Sequence, residues 1–308
     1  MGNSDVVPGR GRHDSQRLGF IPPRARRFLR DQVDVWGQCT SALRVMPDYL
    51  IVGSMRSGTS ALYEYLVRHP HVARSTSEEI HYFTLNYHRG LKWYRGHFPT
   101  RFRRGYVRHR YGAQLVTGEA TPYYMAHPHA PGRIAELLPE VKLIVVLRNP
   151  IDRAYSHYNY LRRVGVEPLA SFEEALEAEP ERLAGEVDKM LIDPSYKSRN
   201  HWHFSYITRG LYADQVESLF RLFPHGRVLV LQSEQLLSDP ARSHAEALRH
   251  LGLELITLPQ YPRHNAMRYP SMNLDTRRWL AARFEEPNHR LYQLLDKDLG
   301  WDRAMVTH

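Results

Sequence analysis

Apolar positions along the chain switch repeatedly between two periods. Tyr49-Leu50-Ile51-Val52, Val141 to Leu147 and Val228-Leu229-Val230-Leu231 are short, largely β-branched apolar runs. Such runs mark strands buried on both faces. Leu115 to Glu119 reads as a further strand. Between them apolar residues recur at helical spacing: Leu62, Tyr65 and Leu66 after Gly58, then Leu91, Tyr94 and Phe98. Ile151 to Arg163 reads as a helix with Pro150 suited to its start. Ser171 to Leu191 reads as another, with Ser171 as cap and Glu174 three residues on. Further helices are predicted at Leu211–Phe223, Pro240–Leu251 and Thr276–Leu295, and one at Phe28–Leu43 ahead of the first strand. Alternating strands and helices predict an α/β fold of three layers, a central, mostly parallel sheet flanked by helices. Met1 to Pro23 is rich in Gly, Pro, Arg and Ser and lacks a core-forming pattern. We read residues 1–27 as a flexible basic arm and 28–308 as a single domain.

The first strand ends at Gly53 and passes through Ser54-Met55-Arg56-Ser57-Gly58 into a helix. Helix-start amides lack internal partners, and the helix dipole favours negative charge there. The loop is P-loop-like: Gly53 and Gly58 have the triphosphatase spacing and Ser60 is in place, but Thr59 holds the lysine position. The cation sits inside the loop as Arg56. That argues against ATP or GTP hydrolysis and leaves an anion held by amides, hydroxyls and one arginine.

Composition narrows the class. The chain has 308 residues, 42% hydrophobic and 24% charged, which fits a folded globular protein. It shows no apolar run long enough to span a bilayer and no signal-peptide pattern. The single cysteine, Cys39, excludes an internal disulfide and fits a reducing compartment, so a cytoplasmic location is expected. Seven arginines against Asp5 and Asp14 place +5 of the net +9 in residues 1–30. Arg101 to Tyr111 interleaves arginines with aromatics, the mark of an exposed loop or of a surface tracking an anionic polymer. A basic nucleic-acid-binding protein and a P-loop kinase or triphosphatase are therefore the two rival classes.

A second anion site stands at the end of Val141–Leu147, where Arg148-Asn149-Pro150 opens the next helix. Arg148 and Ser156, eight residues apart, are placed to offer a guanidinium and a hydroxyl to one phosphate at the carboxyl edge of the sheet. A triphosphatase more often shows a magnesium-binding carboxylate at such a strand end. The chain here resembles the sulfotransferases that use 3′-phosphoadenosine 5′-phosphosulfate (PAPS), above all the heparan sulfate N- and 3-O-sulfotransferases and their bacterial relatives. The likeness rests on S-M-R-S-G-T-S-A-L-Y, E-E-I-H-Y-F-T-L-N-Y-H-R-G-L-K-W-Y, G-E-A-T-P-Y-Y and L-R-N-P-I-D-R-A-Y-S-H-Y. It continues through G-L-Y-A-D-Q-V-E-S-L-F to R-Y-P-S-M-N-L-D-T-R-R-W-L, covering roughly residues 46–302 in order.

The resemblance implies Glu79 as catalytic base with His81 beside it. It implies Arg56 where the family has lysine, Ser57, Gly58, Thr59 and Ser60 as the phosphosulfate loop, and Arg148 and Ser156 at the 3′-phosphate. Arg268 would belong to a loop closing over the nucleotide. Glu78 and Glu119 are competing carboxylates. The family's E-K-[ST] is Glu119-Ala120-Thr121 here, and the paired cysteines and membrane anchor of animal members are absent, which bears on the acceptor rather than the chemistry. The expected function is transfer of the PAPS sulfuryl group to a hydroxyl or amine of a glycan, glycolipid or small carbohydrate-bearing acceptor, with Arg101–Arg110 holding it near the cleft. Nucleic acid is not the expected partner. No metal is expected: His201 and His203 would share a strand face but lack a third ligand at typical spacing.

Overall fold

The computed structural model describes residues 23–262 and 269–301. Its centre is a five-stranded sheet, all neighbours parallel, ordered β2-β3-β1-β4-β5. The strands are β1 (Tyr49–Gly53), β2 (Val72–Arg74), β3 (Val116–Ala120), β4 (Lys142–Leu147) and β5 (Val228–Gln232). The apolar runs read as strands are β1, β4 and β5, and each is long enough for one pass through the core. In β1 and β4 successive residues feed opposite layers, as period two demands. Leu50, Val52, Leu143, Val145 and Leu147 join one apolar cluster, and Tyr49, Ile51, Ile144 and Val146 the other. The sheet is thus covered on both faces, the three-layer arrangement expected.

The helices follow the predicted places with shifted ends. α1 (Pro23–Cys39) starts five residues ahead of Phe28 and is followed by a 3₁₀ turn at Ser41–Leu43. α2 (Thr59–Leu66) follows β1, α3 is Gly90–Arg95, α4 is Arg101–Tyr111 and α5 is Ala130–Leu137. α6 (Pro150–Arg163) follows β4, its first amides of Ile151 and Asp152 donating to the Asn149 side chain. Ser171–Leu191 divides into α7 (Phe172–Leu183), with the expected capping box, and α8 (Glu186–Ile192), because Gly185 at φ 68° turns the chain between them. α9 (Arg199–His203), α10 (Tyr212–Leu222), α11 (Ser233–Ser238), α12 (Pro240–Leu251) and α13 (Leu274–Leu295) complete the order.

Two sequence readings change. Arg101–Tyr111 is not a loop but a helix with no buried residue, capped by Thr100, whose side chain accepts from the Arg103 amide. His201 and His203 are not on a strand face; Ser198 caps the helix that carries them. Gly118 in β3 is required by packing, since a Cβ there would lie 2.3 Å from the Tyr49 carbonyl oxygen.

Candidate active site

The loop after β1 and the start of α6 after β4 meet at the carboxyl edge, because β1 and β4 are neighbours. Gly58 enters α2 at φ 93°, a left-handed value that suits glycine alone. Among the described residues, three non-glycines have positive φ: Arg56 at 69°, His81 at 54° and Asp296. Two of the three are residues the sequence singled out, and held backbone strain of this kind costs on the order of 1–3 kcal/mol each. Ser57 is buried and its Oγ lies 2.5 Å from Ser54 Oγ, so its hydroxyl is engaged within the loop. Thr59 is buried at the first turn of α2, and Ser60 is partly exposed beside it.

A cationic half forms on one side of the loop. Arg56 Nε donates to Ser156 Oγ at 3.3 Å, and its guanidinium lies 4.8 Å from the Tyr160 ring centre. Arg148 Nη1 donates to the Arg56 carbonyl at 3.1 Å. Three residues from three segments therefore converge, as the sequence implied. Burial lowers the Arg56 pKa, and the nearby charges of Arg148 and Arg163 push it the same way. Crowded guanidinium groups of this kind are relieved by a bound anion. Tyr212 ties the half together: its hydroxyl donates to the Arg148 carbonyl at 3.0 Å and accepts from Ser54 Oγ at 3.4 Å. Behind the loop, Arg209 is buried, donates to the His201 and Trp202 carbonyls, and reaches Met55 Sδ at 3.2 Å. Burial brings its pKa down to about 10. No local sequence signal marked Arg209 or Tyr160; only the fold brings them to the loop.

A carboxylate half forms on the other side, in the segment that leads from β2. Glu79 Oε2 and His81 Nε2 are 3.1 Å apart, with the Glu79 side chain 22% exposed and His81 buried against Trp202. Glu78, its neighbour, bonds to the Ser60 side chain, and burial, aided by the charge of Glu79, raises its pKa to about 7. Glu119 is fully buried and accepts from the Tyr94 and Tyr124 hydroxyls, the Ile80 amide and Thr121 Oγ1 at 2.6–3.1 Å. Its lone pairs are taken by structure, and its bond to Ile80 holds the strand-free segment that bears Glu79 and His81. Tyr94, Tyr123 and Tyr124 are buried, and Tyr123 pairs with His201 Nδ1 at 2.7 Å.

Glu78 carries a testable pH signature. Its folded pKa of about 7 exceeds the ordinary 4.5, so between those values the folded state holds a proton that the unfolded chain has released. Folding therefore loses stability as pH rises from about 4.5 to 7. Glu78→Gln should melt higher than wild type at pH 8, with the gap closing towards pH 4.5. A gap independent of pH would remove this account.

Other candidates fall away from the site. Burial brings His201 and His203 down to about 4, so both are neutral at pH 7. Among the described residues no group of three or more His, Cys, Asp or Glu is set to hold a metal ion. Arg268 lies outside the described residues. α4 is not near the cleft: Arg104 pairs with Asp48, and Asp48 immediately precedes β1 at the amino edge of the sheet. The anion loop lies at the other end of β1, roughly 17 Å away for five residues. A cavity of about 890 Å³, lined in part by Asp48, Arg104 and Lys142, belongs to that amino edge too. The expectation that Arg101–Arg110 hold the acceptor is corrected accordingly. Neutralising Arg101 and Arg103 should leave acceptor KM within about twofold, since exposed charges beyond a Debye length are screened. A several-fold rise in KM would put the helix back at the cleft.

Comparison with known proteins bears on this arrangement. Residues 46–277 match the family model described as "Sulfotransferase domain". The chain is 32% identical over 282 residues to mouse heparan sulfate glucosamine 3-O-sulfotransferase 3B1, covering 83% of this chain and 65% of that protein. It is 25% identical over 345 residues to the Dictyostelium discoideum membrane-associated sulfotransferase kil1, covering 90% and 71%. Against the human bifunctional heparan sulfate N-deacetylase/N-sulfotransferase 3 it is 29% identical but spans 31% of the length. The chain thus spans about two thirds of the heparan sulfate 3-O-sulfotransferase and about a third of the bifunctional enzyme. The crystal structure of a sulfotransferase from Alicyclobacillus acidocaldarius superposes with a TM-score of 0.63 and 29% identity, covering 84% of this chain and 99% of that one. With residues 46–277 matched by that family model, the chain belongs to the sulfotransferase family.

Proposed function

We propose that this enzyme transfers the sulfuryl group of PAPS to a hydroxyl or amine of a carbohydrate-containing acceptor, with Glu79 as general base. The observation that carries the reading is the convergence of Arg56, Arg148 and Ser156 beside the start of α2. That set fits a nucleotide with two separated anionic groups. Left-handed residues at Arg56 and Gly58 shape the loop as an anion-binding concavity, and the α2 dipole favours negative charge over it. The 5′-phosphosulfate is assigned to the amides of Ser57, Gly58, Thr59 and Ser60, and the 3′-phosphate to Arg148 and Ser156. Arg56, rooted in the loop with its guanidinium at Ser156, serves both. Arg268 is assigned to the segment covering the nucleotide.

In the reaction a bond forms from the acceptor oxygen or nitrogen to sulfur, and the bond from sulfur to the bridging phosphate oxygen breaks. The electron pair of the broken bond stays on the 5′-phosphate, leaving adenosine 3′,5′-bisphosphate. The acceptor proton passes to the Glu79 carboxylate, oriented by His81. Preorganised loop amides and Arg56 stabilise the charge that develops on the leaving oxygen. The 3-O- and N-sulfotransferase relatives support a glycan or glycolipid acceptor. No described helix is long and apolar enough to cross a membrane. The lone cysteine supports a cytoplasmic setting, which favours a short glycan or glycosylated metabolite. The test is sulfate transfer from labelled PAPS to a panel of glycans, phenols and tyrosine peptides. Label on phenols or peptides alone, never on a glycan, would sink the acceptor assignment.

A further inference from the structure

The helix displaced from the cleft has an organisation of its own. α4 carries Arg101, Arg103, Arg104, Arg108 and Arg110 with no acidic residue, and buries none of its side chains. At about 100° per residue its positions sort into sides. Arg104 and Val107 face the protein: Arg104 pairs with Asp48 and Val107 is partly covered, while Tyr111, though its ring lies 6.2 Å from that of His71, is itself exposed. Phe102 and Tyr106, one turn apart, point the other way and are 72% and 61% exposed. Arg103 and Arg110 flank this aromatic pair on one side; on the other His109 and Gly105 come first, with Arg101 and Arg108 beyond them, all exposed. At the start of α4 the Arg44–Thr100 bridge brings up the turn bearing exposed Leu43, and Arg44 stacks 4.4 Å over exposed Trp36.

We propose that α4 is an interfacial helix that docks the enzyme on an anionic lipid surface, Phe102 and Tyr106 entering the headgroup boundary between two rows of arginines. Charge complementarity selects the sign of the surface, since each arginine near an anionic leaflet attracts it. The aromatic centre selects lipid over a sulfated polymer. Such a polymer offers no aromatic face, and would engage the arginine rows and leave Phe102, which has no polar atom, in water. A bilayer boundary takes up both, with arginine stems lying along the apolar layer and their heads at the phosphates. Docking by α4 puts the lipid at the amino edge of the sheet and leaves the anion loop at the opposite edge.

The experiment is flotation of the full chain with vesicles of phosphatidylcholine alone and of phosphatidylcholine mixed with phosphatidylserine. Wild type should float with the mixed vesicles and stay in solution with the neutral ones. Phe102→Ser/Tyr106→Ser should lower the partition coefficient about tenfold or more, given the apolar surface removed. Both residues are exposed, so an unchanged melting temperature is expected and serves as the check on folding. Arg101, Arg103, Arg108 and Arg110 replaced by Gln should lower partition comparably, which separates α4 from the basic amino-terminal residues. Full binding by the double serine variant would overturn the proposal, because arginines elsewhere would then suffice. Failure of wild type to float, with retention on heparin, would overturn it in favour of a polyanion surface.

Discussion

Glu79→Gln is expected to lower kcat by about 10²–10⁴ while leaving affinity for adenosine 3′,5′-bisphosphate unchanged. The split follows from where the carboxylate sits. Glu79 contacts His81 and is partly open, whereas the nucleotide assignment rests on the opposite, cationic half. Glutamine preserves size and a hydrogen-bond acceptor but cannot take the acceptor proton. Two neighbouring carboxylates make the outcome decisive. Glu119 has four donors on its two oxygens, so Glu119→Gln should cost stability before chemistry. Glu78, held at about 7 by burial, has a basicity that suits proton transfer near neutrality. Retained turnover in Glu79→Gln together with its loss in Glu78→Gln would move the base by one residue.

Arg148→Ala should weaken adenosine 3′,5′-bisphosphate binding by about 1.5–3 kcal/mol, against about 0.5–1.5 for Ser156→Ala. A charged guanidinium contact to a phosphate outweighs a neutral hydroxyl bond. Arg148 also donates to the Arg56 carbonyl, so its loss slackens the loop as well as removing a ligand. Calorimetric titration of both variants reads the difference directly. Equal affinity in wild type and Arg148→Ala would end the 3′-phosphate assignment.

Much of the cationic half's geometry was legible because it depends on local rules. An apolar run buried on both faces, a glycine that must be left-handed, and a proline opening a helix each write themselves into neighbouring residues. What was misread depends on surroundings. α4 shows an apolar pair facing solvent, so its helical period points away from any core and read as a loop or an anion-tracking surface. His201 and His203 alternate like strand residues, and the informative signal was Ser198, which caps their helix. The break between α7 and α8 was written only in Gly185. Only the resemblance separates Glu79 from Glu78 in sequence; in the fold, burial beside Ser60 sets Glu78 apart. Arg209 reaches Met55 across 154 positions of chain, a distance over which no local pattern speaks.

The division of the cleft into two halves has a consequence for the catalytic cycle. Arg148 and Ser156 are assigned to the 3′-phosphate, a part of the nucleotide that the reaction leaves intact. Sulfuryl departure changes only what faces the carboxylate side. On that assignment the spent nucleotide would keep the 3′-phosphate contacts that helped bring the fresh one in, so adenosine 3′,5′-bisphosphate is expected to compete with PAPS. Throughput would then depend on whatever removes adenosine 3′,5′-bisphosphate from the surroundings.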